Sequence, residues 1–183
     1  MFRAATAARW ADVEKLFGPR GACAGCWCMV WRLTRAQFKN GQGEGNRRAF
    51  RKLLRSGAEP GVLAYADGKP VGWCAVAPRE DFSFLERSRV LAPLDDQPVW
   101  SITCLFVAKE WRRRGLSTQL IEAAVKLARK HGANVVEAYP QDVKGTWPAA
   151  FIWTGVTPAF KKAGFKVAGR RSPKRPIMRI RTR

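Results

Sequence analysis

The sequence predicts a mixed α/β fold, a mixed sheet flanked by helices, and three observations carry that reading. Two short apolar runs are separated by Ala66-Asp67-Gly68-Lys69-Pro70, and an Asp-Gly between such runs signals an antiparallel hairpin. A strand-like run over 99–107 is followed by apolar residues at helical spacing, then by a second strand-like run over 135–139. Helical patterns precede the hairpin, and a short helix with two more strands follows, which places helices on a mixed sheet.

Taken in order, Thr6 stands where it can cap a helix whose apolar positions Trp10, Val13, Leu16 and Phe17 keep the helical period, and Gly18-Pro19 closes it. A stretch rich in Gly, Cys and Trp runs over 21–31, followed by a short helix after Thr34 and a glycine-rich turn over 41–45. A basic amphipathic helix over 47–55 is expected next, capped by Asn46 and ended by Gly57. The hairpin strands are 61–65 and 71–77. Residues 78–98 mix charge, Phe82, Phe84 and prolines without a clean period, so they read as a long loop with room for one helical turn; such loops are often functional. Leu116, Leu120, Ala123, Ala124, Leu127 and Ala128 mark a long helix up to Gly132. A short helix over 158–163 ends at Gly164, and 165–168 and 177–180 are the last strands.

The chain has 183 residues, a length that fits one domain over 1–183. Its apolar fraction of 46% is ordinary, and no apolar run approaches the roughly 18 residues of a membrane span. The first residues lack the long apolar stretch of a secretory signal, so a cytoplasmic location is the expectation. Five cysteines, Cys23, Cys26, Cys28, Cys74 and Cys104, are an odd count and favour reduced thiols over a disulfide framework. The net charge of +20, from 34 basic against 14 acidic residues, attracts anions and repels polycations.

One segment carries chemistry. Between Phe106-Val107 and the long helix lies Ala108-Lys109-Glu110-Trp111-Arg112-Arg113-Arg114-Gly115-Leu116-Ser117-Thr118, a strand, a basic turn and a helix start in line. Free N–H groups and the positive dipole end of a helix N-terminus suit a phosphate, glycine lets the backbone approach it, and arginines add charge-assisted hydrogen bonds. Neither Gly-x-x-x-x-Gly-Lys-Ser/Thr nor Gly-x-Gly-x-x-Gly is present, so nucleotide hydrolysis and Rossmann chemistry lack their parts.

Here the chain resembles the GNAT acetyltransferases, whose motif after the fourth strand is Gln/Arg-x-x-Gly-x-Gly/Ala; this chain has Arg112-x-x-Gly115-x-Ser117, departing at the last small residue. Leu105-Phe106-Val107 looks like the family's fourth strand, Val71-Gly72-Trp73 like its third, and Ala159 to Phe165 like its late helix and the Gly-Phe opening its sixth strand. The resemblance covers roughly 61–168 and implies a mostly antiparallel sheet splayed between strands four and five. Within it, 1–60 would be acceptor-side helices with the Cys/Trp-rich segment, and 61–183 the cofactor-binding core.

The resemblance implies acetyl-CoA as cofactor, a primary amine acceptor, small or macromolecular, and direct attack in a ternary complex. Backbone N–H groups of Leu105, Phe106 and Val107 would meet the pantetheine arm and thioester oxygen. Arg112, Arg113, Arg114, Gly115, Leu116, Ser117 and Thr118 would hold the pyrophosphate. The family often places a tyrosine acid in the late helix, where this chain has Phe160, which cannot donate a proton. Of the two tyrosines, Tyr139 follows Glu137 on one face of the fifth strand and is the candidate acid. Glu137, Glu80 and Asp81 are candidate bases, Glu80 also a substrate-side residue; the alternative for each is an ordinary solvated carboxylate. His131, in the last turn of the long helix, reads as a capping residue.

Cys23-x-x-Cys26-Trp27-Cys28-Met29-Val30-Trp31 has thiolate spacing that could begin a metal site, but no fourth ligand is evident, and cysteine as a small buried hydrophobe is the competing reading. No metal is expected. The Cys-Trp-Cys-Met stretch is similar to one in an uncharacterised GNAT subgroup, and in the family this region shapes the acceptor pocket. Trp27, Met29 and Trp31 would then line an acceptor site, or else form core. The triplet 112–114 and the tail 170–176 are basic clusters, which mark a solvated surface or an anionic partner. A non-catalytic RNA-binding protein is the rival reading. The charge disfavours polycationic acceptors, and both a monomer and a homodimer are compatible with the sequence.

Overall fold

The Asp-Gly hairpin forms as expected: Asp67 and Gly68 both take positive φ, 48° and 70°, the backbone that matches the twist of the strands they join. This computed structural model describes residues 1–143, 145 and 147–182. Among them, β1 (Phe2–Ala4), β2 (Gly61–Ala66), β3 (Lys69–Pro78), β4 (Trp100–Val107), β5 (Val135–Ala138), β6 (Lys166–Arg170) and β7 (Pro176–Arg181) build one seven-stranded sheet, ordered β1-β2-β3-β4-β5-β7-β6. Neighbours are antiparallel except β4 and β5, which run parallel. The sequence reading missed β1, whose three residues are too few to show an alternating pattern.

Helices α1 (Trp10–Phe17), α2 (Arg35–Asn40) and α3 (Glu44–Arg55) lie over one face of the sheet, where Trp10, Phe17, Trp27 and Phe50 pack on Leu63, Trp73 and Ala75. On the opposite face, α5 (Leu116–Lys130) and α6 (Thr157–Lys162) bury Leu120, Ile121, Ala124 and Phe160 against Val62, Cys74, Ile102, Leu105 and Val136. Gly72 permits that contact: a Cβ there would stand 2.9 Å from a Leu120 methyl.

Two caps differ from expectation. Thr6 precedes a 3-10 turn, and its hydroxyl accepts from the Arg9 guanidinium (3.2 Å) instead of a backbone amide. Asn46 lies inside the first turn of α3, which starts after Gly43, and its buried amide donates to the carbonyls of Gly25 (3.1 Å) and Phe38 (3.4 Å). Thr34 does cap α2, in a reciprocal capping box with Gln37.

The long loop over 79–98 holds a 3-10 turn (Arg79–Asp81) and the one-turn helix α4 (Ser83–Glu86). Arginines fasten it. Arg79 Nη2 donates to the carbonyls of Leu91 (2.7 Å) and Leu85 (3.3 Å), Arg171 to those of Ala92 and Pro93, and Arg179 pairs with Asp95 (2.6 Å). Other guanidinium groups cover rings: Arg32 over Phe82 (4.5 Å), Arg51 over Trp10 (5.6 Å), Arg47 over Trp27 (5.8 Å).

Arg79 is thus a hub: its Nη1 also lies 3.3 Å from the buried Glu137 carboxylate on β5, so its removal takes a guanidinium partner from that carboxylate and a side-chain donor from two loop carbonyls. Arg79→Leu is expected to cost roughly 3–5 kcal/mol in denaturant unfolding and to open the 82–95 stretch to proteolysis. A loss within experimental error would mean the loop is held by other contacts.

Candidate active site

The cleft arises where β4 leaves β5. The two strands pair only at Trp100↔Val136, Ser101↔Glu137 and Ile102↔Ala138, and β4 then continues to Val107 without β5 beside it. A bulge accompanies the departure: β3 pairs Val76 with Ile102 but Ala75 with Cys104, leaving Thr103 as the extra residue. It also explains why Ile102 and Leu105, three apart, both face α5, while Cys104 and Phe106 face α1 and α3.

In the cleft the Leu105 amide points away from β3 and donates to the Trp153 carbonyl (2.7 Å), whereas the Ala108 amide points back to Val71 of β3 (2.9 Å). Strand alternation turns the Val107 amide the same way as that of Leu105. Residues 151–155 therefore run beside the diverging half of β4. Gly155 makes that approach feasible, since a Cβ there would lie 2.8 Å from Leu105 Cδ1 and 2.7 Å from Phe160 Cε2, at a φ of 80°. Among the described residues, Thr103 Oγ1, Thr154 Oγ1 and Trp31 Nε1 are buried here without a hydrogen-bond partner.

At the end of β4 the chain makes a 3-10 turn (Lys109–Trp111) and turns again at Arg113 and Gly115, both left-handed with φ of 61° and 77°, before α5 begins at Leu116. Arg112 Nε donates to the Val107 carbonyl (3.0 Å) and so ties the turn to the strand. The amides of Thr118 and Gln119 close on the Gly115 carbonyl, so those before them have no intrahelical acceptor and form the positive end of α5. Arg112, Arg113, Arg114 and Gly115 are exposed, Arg114 over the Trp111 ring (5.2 Å). A Cβ at Gly115 would meet nothing within 4 Å, so the approach to these amides is open. The donor set fits a diphosphate: backbone N–H groups, a hydroxyl pair at Ser117 and Thr118, and three exposed arginines.

Glu137 and Tyr139 come together as strand alternation requires, but both are wholly buried. Tyr139 OH donates to Glu137 Oε1 (2.6 Å) and accepts from Arg79 Nη1 (2.7 Å); its single proton being given to Glu137, Ser101 Oγ is the donor across their 2.9 Å contact. Glu137 is flanked by Arg79 (3.3 Å) and by Arg179 Nε, 2.7 Å from Oε2. Burial, then the charge of Glu137, pushes the Tyr139 phenol far above its ordinary range, so it stays protonated. Trp31 covers this network, its ring 6.4 Å from Tyr139, 5.5 Å from Trp153 and 4.7 Å from Phe84.

The other expected residues are more scattered. Trp27 and Met29 are in the core under α1 and α3, where no ligand reaches them in this arrangement, while Glu80 is exposed on the 3-10 turn after β3. Asp81 pairs with Arg32 (3.1 Å), and His131, at the C-cap of α5, binds Glu59 (2.8 Å) and stacks on Trp100. Sequence reasoning missed Arg79, Ser101, Trp153 and Arg179. A hint existed in Arg179, a charge set in the apolar run Ile177-Met178-Arg179-Ile180 of an inner strand. Among the described residues, no three His, Cys, Asp or Glu side chains are placed to hold a metal ion, and no helix is long and apolar enough to cross a membrane.

A model of the Acetyltransferase (GNAT) family matches residues 27–144. No curated protein matches the chain significantly. Solved structures share its fold over nearly the whole length. A GNAT family acetyltransferase from Streptococcus agalactiae superposes with a TM-score of 0.57 at 15% identity, covering 99% of this chain and 94% of that one. The putative acetyltransferase yncA from Salmonella typhimurium, solved with its cofactor acetyl-CoA, gives 0.56 at 14% identity, covering 100% and 94%. The ribosomal-protein-alanine N-acetyltransferase from Brucella melitensis gives 0.54 at 17%, covering 99% of each.

A buried hydroxyl with three partners has a structural cost of removal that a proton donor need not have. Tyr139→Phe is expected to lower stability by about 1–3 kcal/mol with acetyl-CoA affinity unchanged. Thermal or denaturant unfolding checks the first, calorimetry the second.

Proposed function

Because this chain belongs to the GNAT acetyltransferase family, we propose that it transfers the acetyl group of acetyl-CoA to a primary amine by direct attack in a ternary complex. The observation that carries the reading is the turn between β4 and α5, with its open ring of amides at Arg113 to Ser117 beside three exposed arginines. A thioester held in the cleft supplies an activated acyl carbon with a thiolate leaving group.

The chain's own groups have separate tasks. Arg112 to Thr118 bind the diphosphate through backbone N–H groups, hydroxyls and guanidinium groups. The Val107 amide, and the Leu105 amide once released by the Trp153 carbonyl, are donors placed to stabilise negative charge on an acyl oxygen. Glu137 and Tyr139 are the candidate base and acid, and they meet a substrate only when the Trp31, Phe84 and Trp153 cover opens. With that cover closed they act as positioning residues, tying β4, β5 and β7 together below the cleft. Glu80, exposed within the 79–98 loop, is the substrate-side residue best placed to meet an acceptor, and the buried Trp31 meets one only when the same cover opens.

Charge narrows the class of acceptor. With 34 basic and 14 acidic residues, the field of the molecule favours a neutral or acidic amine, or an amine carried on an anionic macromolecule, over a polycation. Family membership favours catalysis over a purely RNA-binding role.

Gly115→Glu tests the assignment, because it places a carboxylate where a phosphate would bind and forces a left-handed backbone on a side chain that disfavours it. We expect acetyl-CoA affinity in calorimetric titration to fall by at least about tenfold with circular dichroism unchanged. Unchanged affinity would refute the assigned loop.

A further inference from the structure

The stretch after α1 is the most contorted part of the chain. Ala22, Ala24, Trp27 and Cys28 all take positive φ (69°, 47°, 44° and 58°), four of the six non-glycine residues that do so among those described. Left-handed backbone is costly for such residues and persists only where the surroundings enforce it. Here Asn46 grips the Gly25 carbonyl (3.1 Å) and Gln42 the Ala24 carbonyl (2.6 Å), while the Trp27 indole fits against Gly21 so closely that a Cβ there would stand 2.4 Å from it.

The contortion delivers one thiol to one place. Cys28 is buried against β3, and the Trp73 indole N–H donates to its sulfur (3.1 Å). An indole N–H can only donate, so the contact stabilises a thiolate. Cys104 of β4, itself partly exposed, belongs to the same cluster as Cys28 and Trp73. In the β3–β4 register Cys104 stands opposite Ala75, so its side chain shares the face on which the Trp73 indole holds Cys28. The neighbouring Cys104 thiol, the Trp73 N–H and the charge of Arg32 hold Cys28 below the ordinary thiol range despite burial, while Cys104 is pushed up. The other enclosed thiols are the reverse: burial raises Cys26 to about 11, and raises Cys74, on the opposite face, further.

We propose that Cys28 and Cys104 are a reactive dithiol, a modification site at which peroxide closes a disulfide between the strained segment and β4. The Cys28 thiolate attacks one peroxide oxygen, the O–O bond breaks, and the leaving hydroxide takes a proton to become water, giving a sulfenic acid at Cys28. The Cys104 sulfur then attacks the Cys28 sulfur; the S–S bond forms, the S–O bond breaks, and hydroxide leaves as a second water with the Cys104 proton. Two thiols are oxidised and one peroxide is reduced. The cross-link would lie one residue before Leu105 and so join the acceptor-side segment to the strand that borders the cleft. The proposal stands on the thiols and their neighbours, independently of acyl transfer.

The test uses the reduced full chain, exposed to stoichiometric hydrogen peroxide, alkylated in denaturant and mapped by mass spectrometry. We expect one dithiothreitol-sensitive link, between the peptides holding Cys28 and Cys104, with Cys74 fully alkylated as an internal control. Dimedone should capture Cys28 in Cys104→Ser, and Trp73→Phe should slow closure of the disulfide by roughly three- to tenfold. Full alkylation of Cys28 and Cys104 at a dose that oxidises exposed Cys23 would overturn the proposal. So would a link from Cys28 to Cys23 or Cys26, or an unchanged rate in Trp73→Phe.

Discussion

A carboxylate withdrawn from water costs several kcal/mol unless cations and donors replace its hydration, and Glu137, on β5 between β4 and β7, is under that constraint. Arg79 reaches it from just past the end of β3 and Arg179 from β7, while Tyr139 donates to it from just past the end of β5. Each partner has a second task. Arg79 holds two carbonyls of the 79–98 loop, Arg179 holds Asp95 of that loop, and Tyr139 reaches Ser101 on β4. Satisfying one buried charge therefore joins three strands and the long loop into a unit.

That unit is densely hydrogen-bonded where the neighbouring architecture is open. β4 and β5 stay paired for three residues over the Glu137 network and then diverge, with the bulge at Thr103 re-aiming the strand. What fills the gap is a backbone carbonyl from a loop, not a strand, so the Leu105 amide keeps a partner that can be exchanged without breaking a ladder. A paired floor beside an exchangeable wall suits the binding of a flexible acyl arm that we propose for this cleft.

How much of this was legible depended on range. The hairpin, the strand-turn-helix unit and the Thr34 cap rest on residues near one another, and turn chemistry or periodicity reveals them. The shared face of Glu137 and Tyr139 is also local, following from the two-residue repeat of a strand. Their burial is not, because it needs Arg79, 58 residues away from Glu137, and Arg179, 42 residues away. Asn46 looked like a helix cap from its neighbours, whereas its amide is used by Gly25, a contact made across 21 residues. The turn between β4 and α5, proposed as the diphosphate site, was visible in the sequence because its left-handed Arg113 and Gly115 and the helix start lie within one short segment. The acceptor side was not, because Trp27 and Trp31 differ in surroundings and hardly at all in sequence context.

The arginines stacked on Trp10, Trp27, Phe82 and Trp111 give the high charge a second meaning. A planar, weakly hydrated guanidinium can lie flat on an aromatic ring, which a compact ammonium does less well. In a chain with eight tryptophans, some of the positive charge therefore serves as roofing, shielding rings that would otherwise present greasy, self-adhesive patches to other molecules. Exchanging those arginines for lysines would leave the net charge untouched and strip the roof. For this protein colloidal behaviour is thus set by the shape of the cations as well as by their number.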